Sequence, residues 1–138
     1  MALTKSQATK ALIQAFLKAV APYELASHGE RHGSWEWVAQ RWDGPICRSV
    51  RLALTPLGRP DGTGKTIVDV EVYAGAELKD RFHQDLLSTE SVPDIHVSSD
   101  AFRSDLSQRL RKAVERADEL AQADLDQIYP TYPELRRA

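Results

Sequence analysis

Two stretches of alternating side chains in the middle of the chain constrain the fold more than any other feature. Residues 46–57, ICRSVRLALTPL, and residues 66–76, TIVDVEVYAGA, each place apolar side chains mainly on one side. These side chains are Ile46, Val50, Leu52 and Leu54 in the first stretch and Val68, Val70, Val72 and Ala74 in the second. A period of two is typical of a strand with one buried face. The chain is therefore expected to contain a half-buried sheet.

A third candidate strand precedes these two. Residues 34–42, SWEWVAQRW, place Trp35, Trp37 and Ala39 on one side, and Trp42 is expected on the other. Three consecutive strands predict an antiparallel meander. Where residues 46–57 pair with residues 66–76, Arg51 is expected to face an acidic residue of the next strand, Asp69 or Glu71.

Helical patterns flank the strands. Thr4 and Gln7 have capping-box spacing, and Pro22 predicts that the first helix ends at about Ala21. A long helix is predicted to begin near Ser98 or Ser99, either of which can cap it. Its apolar face comprises Phe102, Leu106, Leu110, Ala113, Val114, Ala117, Leu120, Ala121, Leu125 and Ile128.

The remaining segments complete the predicted layout. Glycine and serine in residues 27–34 indicate a loop, residues 78–87 a short helix, residues 88–94 a loop and residues 95–97 a short strand. The expected fold is one α+β domain over residues 1–138, a two-layer sandwich of an N-terminal helix, a three-stranded antiparallel meander, a short helix and a long C-terminal helix. Residues 129–138 contain two prolines and predict an extended tail.

Composition narrows the class of protein. With 42% apolar and 28% charged residues, the chain has the balance of an ordinary soluble globular protein. The single cysteine, Cys47, excludes an intrachain disulfide and a cysteine-based zinc site. No apolar run reaches membrane-spanning length, and the N-terminus lacks the features of a secretory signal. A cytoplasmic protein without a membrane partner is expected.

Charge is distributed unevenly along the chain. Residues 1–65 hold nine Lys and Arg against five Asp and Glu, a balance of +4, and residues 66–138 hold nine against fifteen, a balance of −6. One interpretation is that the basic first helix packs beside the acidic second half. The other is a polarised surface that docks a charged partner.

The segment GRPDGTGKT, residues 58–66, resembles a phosphate-binding loop only in part. Gly64, Lys65 and Thr66 fit the pattern, but Arg59 occupies the position where the first glycine is required. Such loops must also lead into a helix whose N-terminus faces the phosphate. Thr66 instead begins an alternating run, so the segment is predicted to connect two strands of a hairpin.

The histidines and the cysteine are the candidates for metal binding or catalysis. His28 and His32 flank Glu30, and a metal would need a third ligand such as His83 or His96. The neighbouring glycines argue against the helix that would bring both imidazoles together, so a solvated loop is favoured. Cys47 is expected to be a small packed side chain. The sequence therefore predicts no catalytic residue, no metal ligand and no cofactor.

Candidate contacts with a partner lie in two places. The aromatic strand and its basic neighbours suit a core, a protein interface or stacking on single-stranded nucleic acid. Acidic residues near the end of the long helix oppose the helix dipole, which is typical of either a solvated face or a site for a basic partner. The predicted partner-binding residues are Trp35, Trp37, Trp42, Arg41, Arg48, Arg51, Asp118, Asp124 and Asp126.

These observations favour a non-enzymatic protein-interaction module, such as an immunity protein, a secretion or assembly chaperone, or an accessory subunit. Its partner would be another protein or a second copy of the chain. The predicted layout is similar to that of the small acidic chaperones of secretion systems, although no sequence motif is shared. Two alternatives remain open: a nucleic-acid or nucleotide-binding domain that uses the basic N-terminal half, and a small metal-dependent hydrolase with a histidine-bound metal.

Overall fold

The chain folds as an α+β protein in a computed structural model that describes residues 5–31, 33–44, 46–57, 64–76, 81–97 and 99–128. The elements are α1 (Lys5–Val20), β1 (Glu24–Arg31), β2 (Ser34–Asp43), β3 (Ile46–Pro56), β4 (Lys65–Ala76), β5 (Arg81–Pro93), α2 (Asp94–Val97) and α3 (Asp100–Ile128). The predicted class is confirmed.

The strands form one antiparallel sheet in the order β1-β2-β3-β4-β5, so each strand pairs with its neighbours in sequence. The three strands predicted from alternation are β2, β3 and β4, which lie at the centre. The predicted meander had three strands and the sheet has five, because the prediction omitted the edge strands β1 and β5.

The core lies between this sheet and the two long helices. The register of β2, β3 and β4 places Trp37, Leu52 and Val70 in one row, and each is at most 3% exposed. Phe16 of α1 and Leu110 of α3 pack into the same cluster and are fully buried. Both helices therefore cover the same face of the sheet. The inward sets predicted for β3 and β4 are confirmed.

The helix boundaries follow the sequence signals. Helix α1 ends at Val20, two residues before Pro22, in agreement with the prediction. Helix α3 begins at Asp100, and the Oγ of Ser99 accepts a hydrogen bond from the backbone N–H of Phe102 at 3.1 Å. Ser99 is thus the predicted cap. None of the helices in the described ranges has an apolar stretch long enough to cross a membrane.

The loop predicted over residues 27–34 was wrong. Residues 24–31 form β1, which pairs antiparallel with β2, and Gly33 takes a positive φ of 79° in the turn between them. An edge strand with exposed side chains needs few apolar residues, so its composition looks like that of a loop. Register with a neighbour, which no local pattern reveals, makes it a strand.

The short helix predicted over residues 78–87 and the loop over residues 88–94 were also wrong, because β5 runs through both. A bulge opposite Val70 and Glu71 interrupts the alternation, so Leu87 packs against the core while Leu86 is 53% exposed. The short strand predicted over residues 95–97 belongs to α2, which ends at the buried Val97.

Polar side chains on the helix side of β5 meet arginines of α3. Arg109 Nη1 lies 2.7 Å from Glu90 Oε1, and Arg116 Nε lies 2.9 Å from Asp85 Oδ2. These ion pairs connect the edge of the sheet to the helix layer where apolar packing is sparse.

Candidate functional site

The outer face, defined here as the side of the sheet opposite the helices, is the main surface that the described elements leave uncovered. No element of the described ranges packs against it. Alternation and register assign its side chains. They include Glu24 of β1, Glu36, Val38, Gln40 and Trp42 of β2, Cys47, Ser49, Arg51 and Ala53 of β3, Lys65, Ile67, Asp69, Glu71, Tyr73 and Gly75 of β4, and Gln84, Leu86 and Thr89 of β5.

Large apolar side chains are exposed on this face. Trp42 is 51% exposed, Tyr73 37% and Leu86 53%. The fourth exposed large apolar side chain among the described residues is Leu57, which directly follows β3. One exposed apolar residue is ordinary, but three on the same uncovered face are typical of a contact surface.

Small side chains lie between the two aromatic residues. Cys47 and Ser49 of the central strand are only 3% and 4% exposed, and Cys47 Sγ lies 3.6 Å from Ser49 Oγ. Neighbouring strands are about 4.8 Å apart, so Trp42 on β2 and Tyr73 on β4 flank these small side chains. Burial raises the pKa of the Cys47 thiol, which favours its neutral form.

The charges of the outer face do not cancel locally. Arg51 Nε and Nη2 lie 2.7 and 2.6 Å from the same oxygen of Glu36. Arg51 is directly opposite Glu71 in the register, as expected, while its guanidinium pairs with Glu36 on the other neighbouring strand, β2. Glu71 instead accepts a hydrogen bond from the neutral amide of Gln84 at 2.8 Å. Its negative charge therefore stays on the surface.

A polar cluster of Tyr23, Arg41, Asp43, Arg48 and Asp118 lies on the helix side of the sheet. Arg48 contacts the carboxylate of Asp43 and lies 3.2 Å from Asp118, while Arg41 lies 3.6 Å from Asp43. Arg41 and Arg48 are directly opposite each other in the register of β2 and β3, so the two carboxylates offset two adjacent positive charges.

Tyr23 connects this polar cluster to the core. Its ring is 4% exposed, and its hydroxyl donates a 2.7 Å hydrogen bond to Asp118 Oδ1. Burial, and then the bond to Asp118, raise the pKa of Tyr23. The cluster ties the start of β1 and the end of β2 to α3 through side chains alone.

The structure separates the partner-binding residues that the sequence grouped. Trp35 and Trp37 share the helix side and Trp42 lies on the outer face, as predicted. Trp37 is 3% exposed and is part of the core. Of the arginines, only Arg51 lies on the outer face, since Arg41 and Arg48 belong to the polar cluster with Asp118. The side chains of Asp124 and Asp126 lie outside the described part of the chain.

Sequence reasoning missed Asp69, Glu71, Tyr73 and Leu86 as candidate contacts. Tyr73 carried a usable signal, because it is an aromatic residue at an outward position of a clearly alternating strand. Leu86 carried none, since its exposure depends on the bulge in β5.

The other candidate sites have different outcomes. His28 lies on β1 beside a shallow cleft of about 300 Å³ lined by Ser27, Gly29, Glu30 and Glu36, while His32 is outside the described residues. Within the described ranges, no three His, Cys, Asp or Glu side chains form a metal-binding group. Residues 58–63 are not described, but β4 begins at Lys65, so the prediction that a strand follows the glycine-lysine pair is confirmed.

Comparisons with known proteins add no assignment. No family model matches the sequence, and no curated protein or solved structure is significantly similar to it.

Proposed function

We propose that this chain is a non-enzymatic protein-interaction module that binds a partner protein through the outer face of its sheet. The observation that carries the proposal is the convergence of Trp42, Tyr73 and Leu86 on a face that no described element covers. Aromatic side chains are frequent anchors of protein interfaces, because they bury a large area at a small entropic cost. An immunity protein, an assembly chaperone and an accessory subunit would all use such a surface.

The sheet face is a better candidate than the long helix. Six apolar side chains of α3 are at most 8% exposed, so the chain's own core already occupies them; they are Phe102, Leu106, Leu110, Ala113, Ala117 and Ala121. None of the described elements packs on the outer face in this way. The contact that we propose therefore involves β2, β4 and β5.

Ion pairing within the chain favours a protein partner over nucleic acid. Arg41, Arg48 and Arg51 each lie within 4 Å of a carboxylate of the same chain. Phosphate binding gains affinity when free cations replace counterions, and arginines that are already paired contribute less.

The test is capture of a partner from the source cell's lysate, compared between variants. We expect a Trp42→Ser, Leu86→Ser double variant to retain no more than about a tenth of the captured protein, since each lost anchor weakens binding by about 1 kcal/mol or more. Leu57→Ser is the matched control, because Leu57 is similarly exposed and lies six positions, about 20 Å, beyond Arg51, which is in register with Leu86. Equal capture by all three proteins would contradict the proposal, provided their melting temperatures agree.

A further inference from the structure

The charge of the outer face indicates what kind of partner it fits. Its described side chains include four acids and two bases, which are Glu24, Glu36, Asp69, Glu71, Arg51 and Lys65. Lys65 is four positions, about 13 Å, along β4 from Asp69. Arg51 places both of its contacting nitrogens on Glu36, so these two charges offset each other. Asp69 and Glu71 remain as a pair of negative charges on one strand, about 7 Å apart.

These two carboxylates lie among the apolar side chains. Register places Glu71 directly opposite the exposed Leu86, and Tyr73 is the next outward residue on β4. Asp69 is opposite the small Ala53 on one side and Thr89 on the other, so no bulky cross-strand neighbour shields it. A ligand on this face must therefore cover apolar surface and supply positive charge at the same place.

From this arrangement we infer that the outer face binds a basic amphipathic segment of a partner protein. Apolar side chains of the segment would pack on Trp42, Tyr73 and Leu86, and its lysines or arginines would contact Glu71 and Asp69. Complementary charge adds specificity, because a segment with acidic side chains would bring like charges together in a partly buried contact. This inference rests on the proposed function and adds the chemistry of the partner.

A displayed library of random peptides about twelve residues long is a suitable probe, since such a peptide can cross a five-stranded sheet about 20 Å wide. Peptides are selected on the native protein after removal of those that also bind the Trp42→Ser, Leu86→Ser variant. The expected survivors combine apolar residues with an excess of lysine and arginine. Survivors that are neutral or acidic, or a selection without survivors, would overturn the inference.

A second measurement isolates the carboxylates. The best selected peptide, labelled and titrated by fluorescence anisotropy, is expected to bind an Asp69→Asn, Glu71→Gln variant about tenfold more weakly and with a smaller dependence on salt. The control is Glu115→Gln with Glu119→Gln, which removes two exposed charges from α3 and should change the affinity less than about twofold. An equal loss in both variants would refute site-specific recognition.

The two proposals can fail separately. If Trp42→Ser with Leu86→Ser abolishes capture of the cellular partner while Asp69→Asn with Glu71→Gln leaves it unchanged, the interaction module stands and the basic partner is excluded. If neither pair of substitutions affects capture, both proposals fail.

Discussion

Single residues of the polar cluster connect distant parts of the chain. Tyr23 and Asp118 are 95 positions apart, and the 2.7 Å hydrogen bond between them joins the start of β1 to α3. The hydroxyl belongs to a residue that is 4% exposed, whereas the side chain of Asp118 is 54% exposed. If the bond is broken, water can therefore donate a hydrogen bond to the exposed Asp118 carboxylate more easily than it can accept one from the buried Tyr23 hydroxyl.

Removal of this hydrogen bond should have a measurable cost. We expect Tyr23→Phe to lower the free energy of unfolding by about 1 kcal/mol, the usual net value of one hydrogen bond. Asp118→Asn should cost at least as much, because Asp118 also faces Arg48. Urea denaturation of both single variants and the double variant measures the coupling. Strictly additive effects would show that the bond contributes nothing to stability.

The raised pKa of Tyr23 also leads to a prediction of how the stability of the fold depends on pH. The folded chain raises the pKa of Tyr23, and that of Cys47, so both keep their protons where the unfolded chain loses them. Their contribution is complete below the ordinary pKa values, near 9 for the thiol and 10 for the phenol, and is lost progressively as the pH rises above them.

Alkaline titration tests this sign. Tyrosinate absorbance should show one of the four tyrosines ionising only as the protein unfolds, and Tyr23→Phe should remove that step. Unfolding measured in urea between pH 8 and about 10.5 should become easier as the pH rises, and less steeply so in the variant. A Tyr23 that titrates near its ordinary pKa in the folded protein would contradict the prediction.

At the scale of elements, the sheet shows which strands a local pattern can identify. Strands β3 and β4 are recognisable because helices cover one side and solvent the other, which imposes an alternation of apolar and polar residues. Strands β1 and β5 lie at the edges, where ion pairs, a bulge and pairing with one neighbour replace that alternation. For this reason the sequence did not predict Leu86 as an exposed contact. It revealed Trp42 as a candidate contact but not the surface around it.

Strand β5 should consequently be less protected than the centre of the sheet. The pairs of Arg109 with Glu90 and of Arg116 with Asp85 are one-third to two-fifths exposed, so solvent screens both pairs and each stabilises the strand only weakly. Replacing both arginines by glutamine should accelerate amide exchange in β5 about fivefold and leave β3 unchanged. The matched control replaces the exposed Arg111 and Lys112 by glutamine. Uniform acceleration across the sheet would contradict a local role.

At the scale of the whole molecule, the two sides of the sheet have different roles. The helix side is filled by a large apolar cluster, a smaller one around Ile46 and the polar cluster beside them. Among the described residues, the outer face combines exposed apolar side chains with acidic side chains that outnumber the basic ones. Exposed apolar side chains suit a second copy of the chain as well as a different partner. The negative charge of the face is the property that distinguishes self-association from binding of a basic partner.

Two copies joined through their outer faces would bring the carboxylates of Asp69 and Glu71 from both copies into one contact. Like charges in a partly buried contact repel, and salt screens that repulsion. Sedimentation velocity should therefore show a monomer at low ionic strength, with any dimer increasing at high salt and disappearing in the Leu86→Ser variant. Asp69→Asn with Glu71→Gln should instead promote the dimer, because it removes the repulsion and keeps the apolar contacts. A dimer that is tightest at low salt and dissociates when these carboxylates are neutralised would show that the face recognises itself, and a basic partner would then be unnecessary.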